Sequence, residues 1–213
     1  AQDLNYGEEG LNFTLTTGEA VATAQWGKHN AGNALAVIGA LLSLGIPREK
    51  ALAAVKAFEG VERRFDLKGR SASRIVYDDY AHNPQKIAAA IRTAQDVQPE
   101  RSLKVIFQPH GYGPLGFMRE SLKAELKGAL RPQDEFIFLP VFYAGGTTSF
   151  KPQSEELAEE YRTDFKVRYC DSRADLESYL DSLEEELLVL TLGARDPSLA
   201  DWSASLATVE ATV

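Results

Sequence analysis

Three clusters of side chains in this sequence are of the types and spacings that do chemistry, and each lies where one regular element gives way to another. The first is Gly27-Lys28-His29-Asn30-Ala31-Gly32-Asn33-Ala34-Leu35-Ala36. Asn30 and Asn33 are three apart, so on a helix their amides share a face and can offer paired donors and acceptors to a flat heterocycle such as adenine. The other reading of Asn30 is a helix cap. The second cluster is Gly60-Val61-Glu62-Arg63-Arg64-Phe65. Its two guanidinium groups can stabilise phosphate oxygens during group transfer, or they can be solvated linker charges. The third is Tyr77-Asp78-Asp79-Tyr80-Ala81-His82-Asn83-Pro84. Carboxylates there can accept hydrogen bonds from ribose hydroxyls, and His82 can meet an anionic substrate. Two adjacent acids with one histidine are a poor set of metal ligands, so no metal site is expected.

The elements that must hold these clusters can be read from periodicity. Leu11, Phe13 and Leu15 alternate before a Thr-Thr-Gly-Glu turn, and Ala22, Ala24 and Trp26 alternate after it, which predicts a β-hairpin. Leu35, Ile38 and Leu42 then share a helical face that stops at Gly45, and Pro47 can open a second helix through Phe58. Residues 60–69 read as a short, charged linker and hinge. Beyond it strands are expected at 74–77, 103–108, 135–139, 166–169 and 187–191, and helices at 84–95, 117–130, 154–162, 175–184 and 197–207. Strands joined by such helices make parallel crossovers, so the chain from about residue 71 should be a Rossmann-like, doubly wound α/β sheet. Ligands collect at the carboxyl ends of such strands, which selects the loops at 78–84, 109–116, 140–148 and 193–197. The domain boundaries implied are 1–62 and 63–213.

Bulk composition narrows the partners. With 213 residues, 44% hydrophobic and 25% charged, the chain can bury a sizeable core. A net charge of -8 argues against nucleic acid, whose phosphates a binding face must neutralise with clustered Lys and Arg. No apolar run is long enough to enter a membrane, and Cys170, the single cysteine, cannot form an intrachain disulfide. A cytoplasmic protein with small-molecule ligands is expected. Cys170 reads as a strand-end filler rather than a nucleophile. The chain opens on Ala1 and runs at once into strand-like sequence, which suggests an excised piece.

In this order, the three clusters resemble the Mur ligase family. Its members share a G-x-H-N-x-x-N-A-L-A helix ending the central domain, a G-V-x-x-R-F hinge, and a D-D-Y-x-H-x-P loop opening a Rossmann-like carboxyl-terminal domain. Phe107-Gln108-Pro109-His110, Phe142-Tyr143-Ala144-Gly145 and Gly193-Ala194-Arg195-Asp196 are similar to the UDP-N-acetylmuramate:L-alanine ligase branch. The resemblance implies a peptidoglycan-synthesis enzyme in which ATP phosphorylates a carboxylate of a UDP-sugar and an amino acid then attacks the acyl phosphate, with Mg2+ offsetting the phosphate charge. It further implies that Asn30 and Asn33 hold adenine, Asp79 the ribose and Arg64 the phosphates. Tyr80, His82, His110 and Tyr112 would line the amino-acid end, with Arg64 and His82 acting in catalysis.

Two departures shape the expectation. The branch carries arginines just after the histidine matching His110, whereas this chain has Gly111-Tyr112-Gly113-Pro114-Leu115-Gly116, which leaves the amino acid unassigned and makes Arg119 a candidate substitute. No G-x-x-G-K-[ST] phosphate loop occurs in the 213 residues. The phosphate loop, the Mg2+ ligands and the amino-terminal and central domains are therefore expected upstream in the same polypeptide, and the fragment is expected to be inactive alone. Other readings are a Mur-type ligase of murein peptide recycling or glutamate addition, and a non-catalytic nucleotide-binding module.

Overall fold

The computed structural model of the protein describes residues 1–7, 10–143, 145 and 149–207. The chain forms two compact units that meet between Glu62 and Arg63. In the first, the expected hairpin, β2 (Leu11–Thr14) and β3 (Ala20–Thr23), gains an antiparallel neighbour in β1 (Gln2–Tyr6), giving the order β1-β2-β3. The inward residues Leu11, Phe13, Leu15 and Val21 pack against Ala31, Ala34 and Ile38 of α1 (Lys28–Ser43) and Val55 of α2 (Arg48–Ala57). Helix α1 stops where Gly45 takes a left-handed φ of 79° and returns its N–H to the Leu42 carbonyl.

The second unit is a six-stranded sheet in the order β4-β5-β9-β6-β7-β8. Its elements in sequence are β4 (Asp66–Arg70), β5 (Arg74–Asp79), α3 (Pro84–Val97), β6 (Ser102–Gln108), α4 (Tyr112–Ala129), β7 (Glu135–Phe138), α5 (Ser154–Tyr161), β8 (Val167–Tyr169), α6 (Arg173–Asp181), β9 (Leu187–Gly193) and α7 (Leu199–Ser205). All pairs are parallel except β4 with β5. The side chains of Val76, Ile106, Ile137 and Val189 meet Leu176 and Leu180 of α6 and the end of α7. Residues alternate across a strand, so Phe107, Phe136 and Phe138 face the other way, where Phe138 meets Tyr161 of α5. The sheet is thus covered on both faces, as the strand and helix alternation predicts.

Two expectations are corrected. The expected linker at 60–69 gives way at residue 66 to β4, an edge strand whose charged Asp-Leu-Lys-Gly-Arg sequence suits a position paired on one side only. Helix α4 begins at Tyr112 rather than residue 117, because Pro114 falls in the first turn, where a missing N–H costs nothing. Among the described residues no helix is long and apolar enough to cross a membrane.

Helix α3 begins as its sequence requires. Asn83 Oδ1 accepts from the Lys86 N–H at 3.0 Å and Pro84 occupies the first helical position. Asn83→Ala is expected to lower stability by about 1 kcal/mol, seen as an earlier midpoint in urea unfolding of the second unit. An unchanged midpoint would show that the cap contributes nothing.

Candidate active site

Strand β9 lies between β5 and β6, yet the two neighbours lead into α3 and α4 on one face while β9 leads into α7 on the other. That reversal is the switch point at which a doubly wound sheet opens a crevice at its carboxyl edge. Register places the three loops level: Asp79 pairs with Leu192, and Gln108 with Gly193.

The loop after β5 is held by buried charge. Asp78, fully buried, receives Arg63 Nε at 2.8 Å on one oxygen and the Thr191 hydroxyl at 2.9 Å on the other. Arg63 Nη2 donates to the Gly193 carbonyl at 2.8 Å, and the guanidinium lies 5.1 Å from the Tyr80 ring centre. Asp79 accepts from the backbone N–H groups of Phe65 and Ala81 at 2.8 and 2.7 Å. Its pKa is nonetheless raised, because burial outweighs those bonds. Both acids thus order the loop, and each Asp79 oxygen keeps a lone-pair direction for another donor.

His82 and His110 come together from two strand ends, with ring centres 5.2 Å apart and planes nearly perpendicular. Tyr80 stands 5.6 Å from His82. His82 Nδ1 lies 2.9 Å from the Tyr80 carbonyl, which can only accept, so the proton is assigned to Nδ1 and Nε2 of the neutral ring is an acceptor. His110 Nδ1 is buried without a hydrogen-bond partner. Burial first, and then the charges of His82 and Arg195, hold the His110 pKa below the usual imidazole value.

The other predicted residues are placed as follows. Asn33 Nδ2 donates to Asn30 Oδ1 at 2.7 Å, and Asn30 Nδ2 to the Trp26 carbonyl at 2.6 Å, so the pair does share one helix face. Asn30 is not the cap: Gly27 occupies that position, with a φ of 93°. Arg64 is exposed, forms no ion pair among the described residues, and acts on the Asp79 charge. Tyr112 joins an aromatic group with Tyr143 and Phe150, at 6.1 and 5.4 Å, rather than any ring contact with the histidines. Arg119, the candidate substitute cation, is tied to Glu160 at 2.6 Å on the outside of α4. Cys170 lies in the core, and burial pushes its thiol up to about 11, out of the range of a reactive thiolate. Ala144 and residues 146–148 of the 140–148 loop lie outside the described residues.

Sequence reasoning assigned no role to Arg195 or to Arg173. Arg173, at the start of α6, binds Asp196 at 2.7 Å, the Ser198 hydroxyl at 3.0 Å and Gln108 at 3.3 Å, fixing the loop after β9. The only local signal was an arginine inside a Gly-Ala-Arg-Asp strand end.

Comparison with known proteins agrees with this fold. A family model described as "Mur ligase, glutamate ligase domain" matches residues 63–195. The chain is 31% identical over 203 residues to UDP-N-acetylmuramate--L-alanine ligase of Desulfitobacterium hafniense, covering 92% of this chain and 44% of that protein. It is 37% identical over 173 residues to the protein of the same name from Acidithiobacillus ferrooxidans, covering 79% and 36%. Among solved structures it is similar to the UDP-N-acetylmuramate-alanine ligase MurC of Thermotoga maritima, with a TM-score of 0.67 and 26% identity over 89% of this chain and 39% of that one. The chain therefore spans less than half the length of these relatives. A doubly wound sheet matched by the family model over residues 63–195, in a chain more than 30% identical to these ligases over most of its length, makes the chain a member of the Mur ligase family.

Proposed function

We propose that these residues supply the adenine, ribose and amino-acid contacts of an ATP-dependent ligase that joins an amino acid to a UDP-N-acetylmuramate-type carboxylate in the cytoplasm, and that the chain alone does not ligate. The observation that carries the reading is the pairing of His82 with His110 at the switch point. Each unit has free groups of the type a nucleotide needs: in the first, Asn33 keeps one N–H and its carbonyl for adenine; in the second, Asp79 keeps lone pairs for ribose hydroxyls and Arg64 is an uncommitted cation for phosphate oxygens. ATP, when bound, supplies the phosphoryl group that turns a poor electrophile into a good one, with Mg2+ held by residues outside this chain. His82 Nε2 takes the proton from the amino group that attacks, while Tyr80, His110 and Tyr112 line the amino-acid end. On this reading residues 1–62 are the end of a central ATP-binding domain and 63–213 the carboxyl-terminal domain.

The chain incubated with Mg-ATP, UDP-N-acetylmuramate and L-alanine is expected to release no phosphate, and calorimetry is expected to show weak or no Mg-ATP binding, because the charge-assisted bonds of a phosphate loop are missing. Robust turnover or tight binding overturns the proposed division of labour. With amino-terminal and central domains supplied in the same polypeptide, ligation should appear, and His82→Gln should lower kcat by about 100-fold.

A further inference from the structure

We infer that Arg195 is the fixed cation of the amino-acid subsite, completing with His82 and His110 an anion pocket built from three adjacent strand ends and holding the substrate's carboxylate. The inference rests on the proposed amino-acid end of the site. Three observations carry it. First, placement: Arg195 stands two residues past Gly193 and His110 two past Gln108, and those two partners are in register across β9 and β6. His82 follows Asp79 by three on the other side of β9, where Asp79 is in register with Leu192. The Arg195 charge is felt at His110.

Second, of the other arginines around this edge only Arg64, assigned above to phosphate oxygens, has no ion pair among the described residues. Arg63 is bound to Asp78 and Gly193, Arg173 to Asp196, and Arg119 to Glu160. Residues 111–116 contain no charge at all. Arg195 is exposed and has no ion pair among the described residues. Third, its backbone is left-handed, with a φ of 72°, a conformation that glycine adopts freely and a side-chain-bearing residue does not. Arg173 pins the neighbouring Asp196, so the strained residue is held and its side chain presented. A guanidinium without an ion pair among the described residues, whose charge reaches a His110 ring with an orphaned Nδ1, in a chain of net charge -8, is a local positive site for an anion. A guanidinium grips a carboxylate through two parallel hydrogen bonds and stays charged at any working pH.

The test is an NMR titration of the chain, following the ring protons of its three histidines, with His29 of the first unit as internal reference. L-alanine and acetate should move His82 and His110 in a saturable way and leave His29 in place, and methylammonium should move neither. Arg195→Gly should weaken this binding about tenfold, with Arg195→Lys between the two. Its thermal midpoint should be no lower than the parent's, since glycine suits the backbone there, so a loss of binding reads the side chain and not the fold. If Arg195→Gly binds carboxylates within about twofold of the parent, the Arg195 assignment fails while the histidine site stands. If no carboxylate moves His82 and His110, both that assignment and the proposed amino-acid end fail. If inorganic phosphate binds more tightly than either carboxylate, the substrate class is wrong.

Discussion

Replacing Arg63 by alanine is expected to lower the stability of the second unit by about 3 kcal/mol, the lower end of the cost of stripping one partner from a buried ion pair. The low end applies because Asp78 is wholly buried while the Arg63 side chain keeps 15% of its exposure, so some water can reach the vacated space. After the change Asp78 retains only the Thr191 hydroxyl, and the Gly193 carbonyl loses its donor. For a unit of this size the loss corresponds to a fall in midpoint of about 6–12 °C. Arg63→Lys should lose less, since it keeps the charge but cannot reach Asp78 and Gly193 with one planar fork. Combining Arg63→Met with Asp78→Asn should recover much of the deficit, because the uncompensated charge is then gone. Should Arg63→Ala cost under about 1 kcal/mol in urea unfolding, the pair is not what holds this loop.

The fold was largely legible because its signals are local. The run Leu187-Leu188-Val189-Leu190 has no alternation, as suits a strand buried on both faces, and β9 is indeed central. The apolar stripe of α3 and the Asn83-Pro84 start gave both the helix and its beginning. Strand β4 was not legible, since five residues with three charges carry no apolar pattern and the strand exists only through pairing with β5. The first turn of α4 was hidden by Gly111, Gly113, Pro114 and Gly116, which together imitate a loop.

The site divided along the same line. His82 could be found because it lies within one motif, and Asn30 with Asn33 because three residues make a helical face. Arg63 could not be separated from Arg64 by residue type; the structure gives one to Asp78 and leaves the other free. Choosing between them required β4, which carries residue 63 back beside the end of β5. Arg195 was further out of reach. Its nearness to His110 depends on β9, last in sequence, inserting between β5 and β6, and no local pattern encodes strand order. Arg119 was attractive for nearness in sequence to His110, yet the helix turns it toward Glu160.

Gly193→Ala is the change expected to disturb this insertion most directly. A Cβ there would lie 2.8 Å from the Gln108 carbonyl oxygen and 3.0 Å from Leu199 Cδ2, at a φ of 155°. The first neighbour is backbone of the partner strand, so relief requires β9 to part from β6 or the loop to shift. Strain of this kind and local overpacking each cost about 1–3 kcal/mol, so a loss of about 2–4 kcal/mol is expected, with a fall in midpoint of about 5–15 °C. Gly145→Ala separates the two causes: its φ of 93° is also left-handed, but among the described residues nothing lies within 4 Å of the added atom. It should cost about 1 kcal/mol, from the backbone alone. Equal losses for the two variants would mean that the close approach of β9 to β6 contributes nothing. The larger loss expected at Gly193 should be accompanied by weaker carboxylate binding, because moving Gly193 shifts both the carbonyl that Arg63 holds and the loop that presents Arg195.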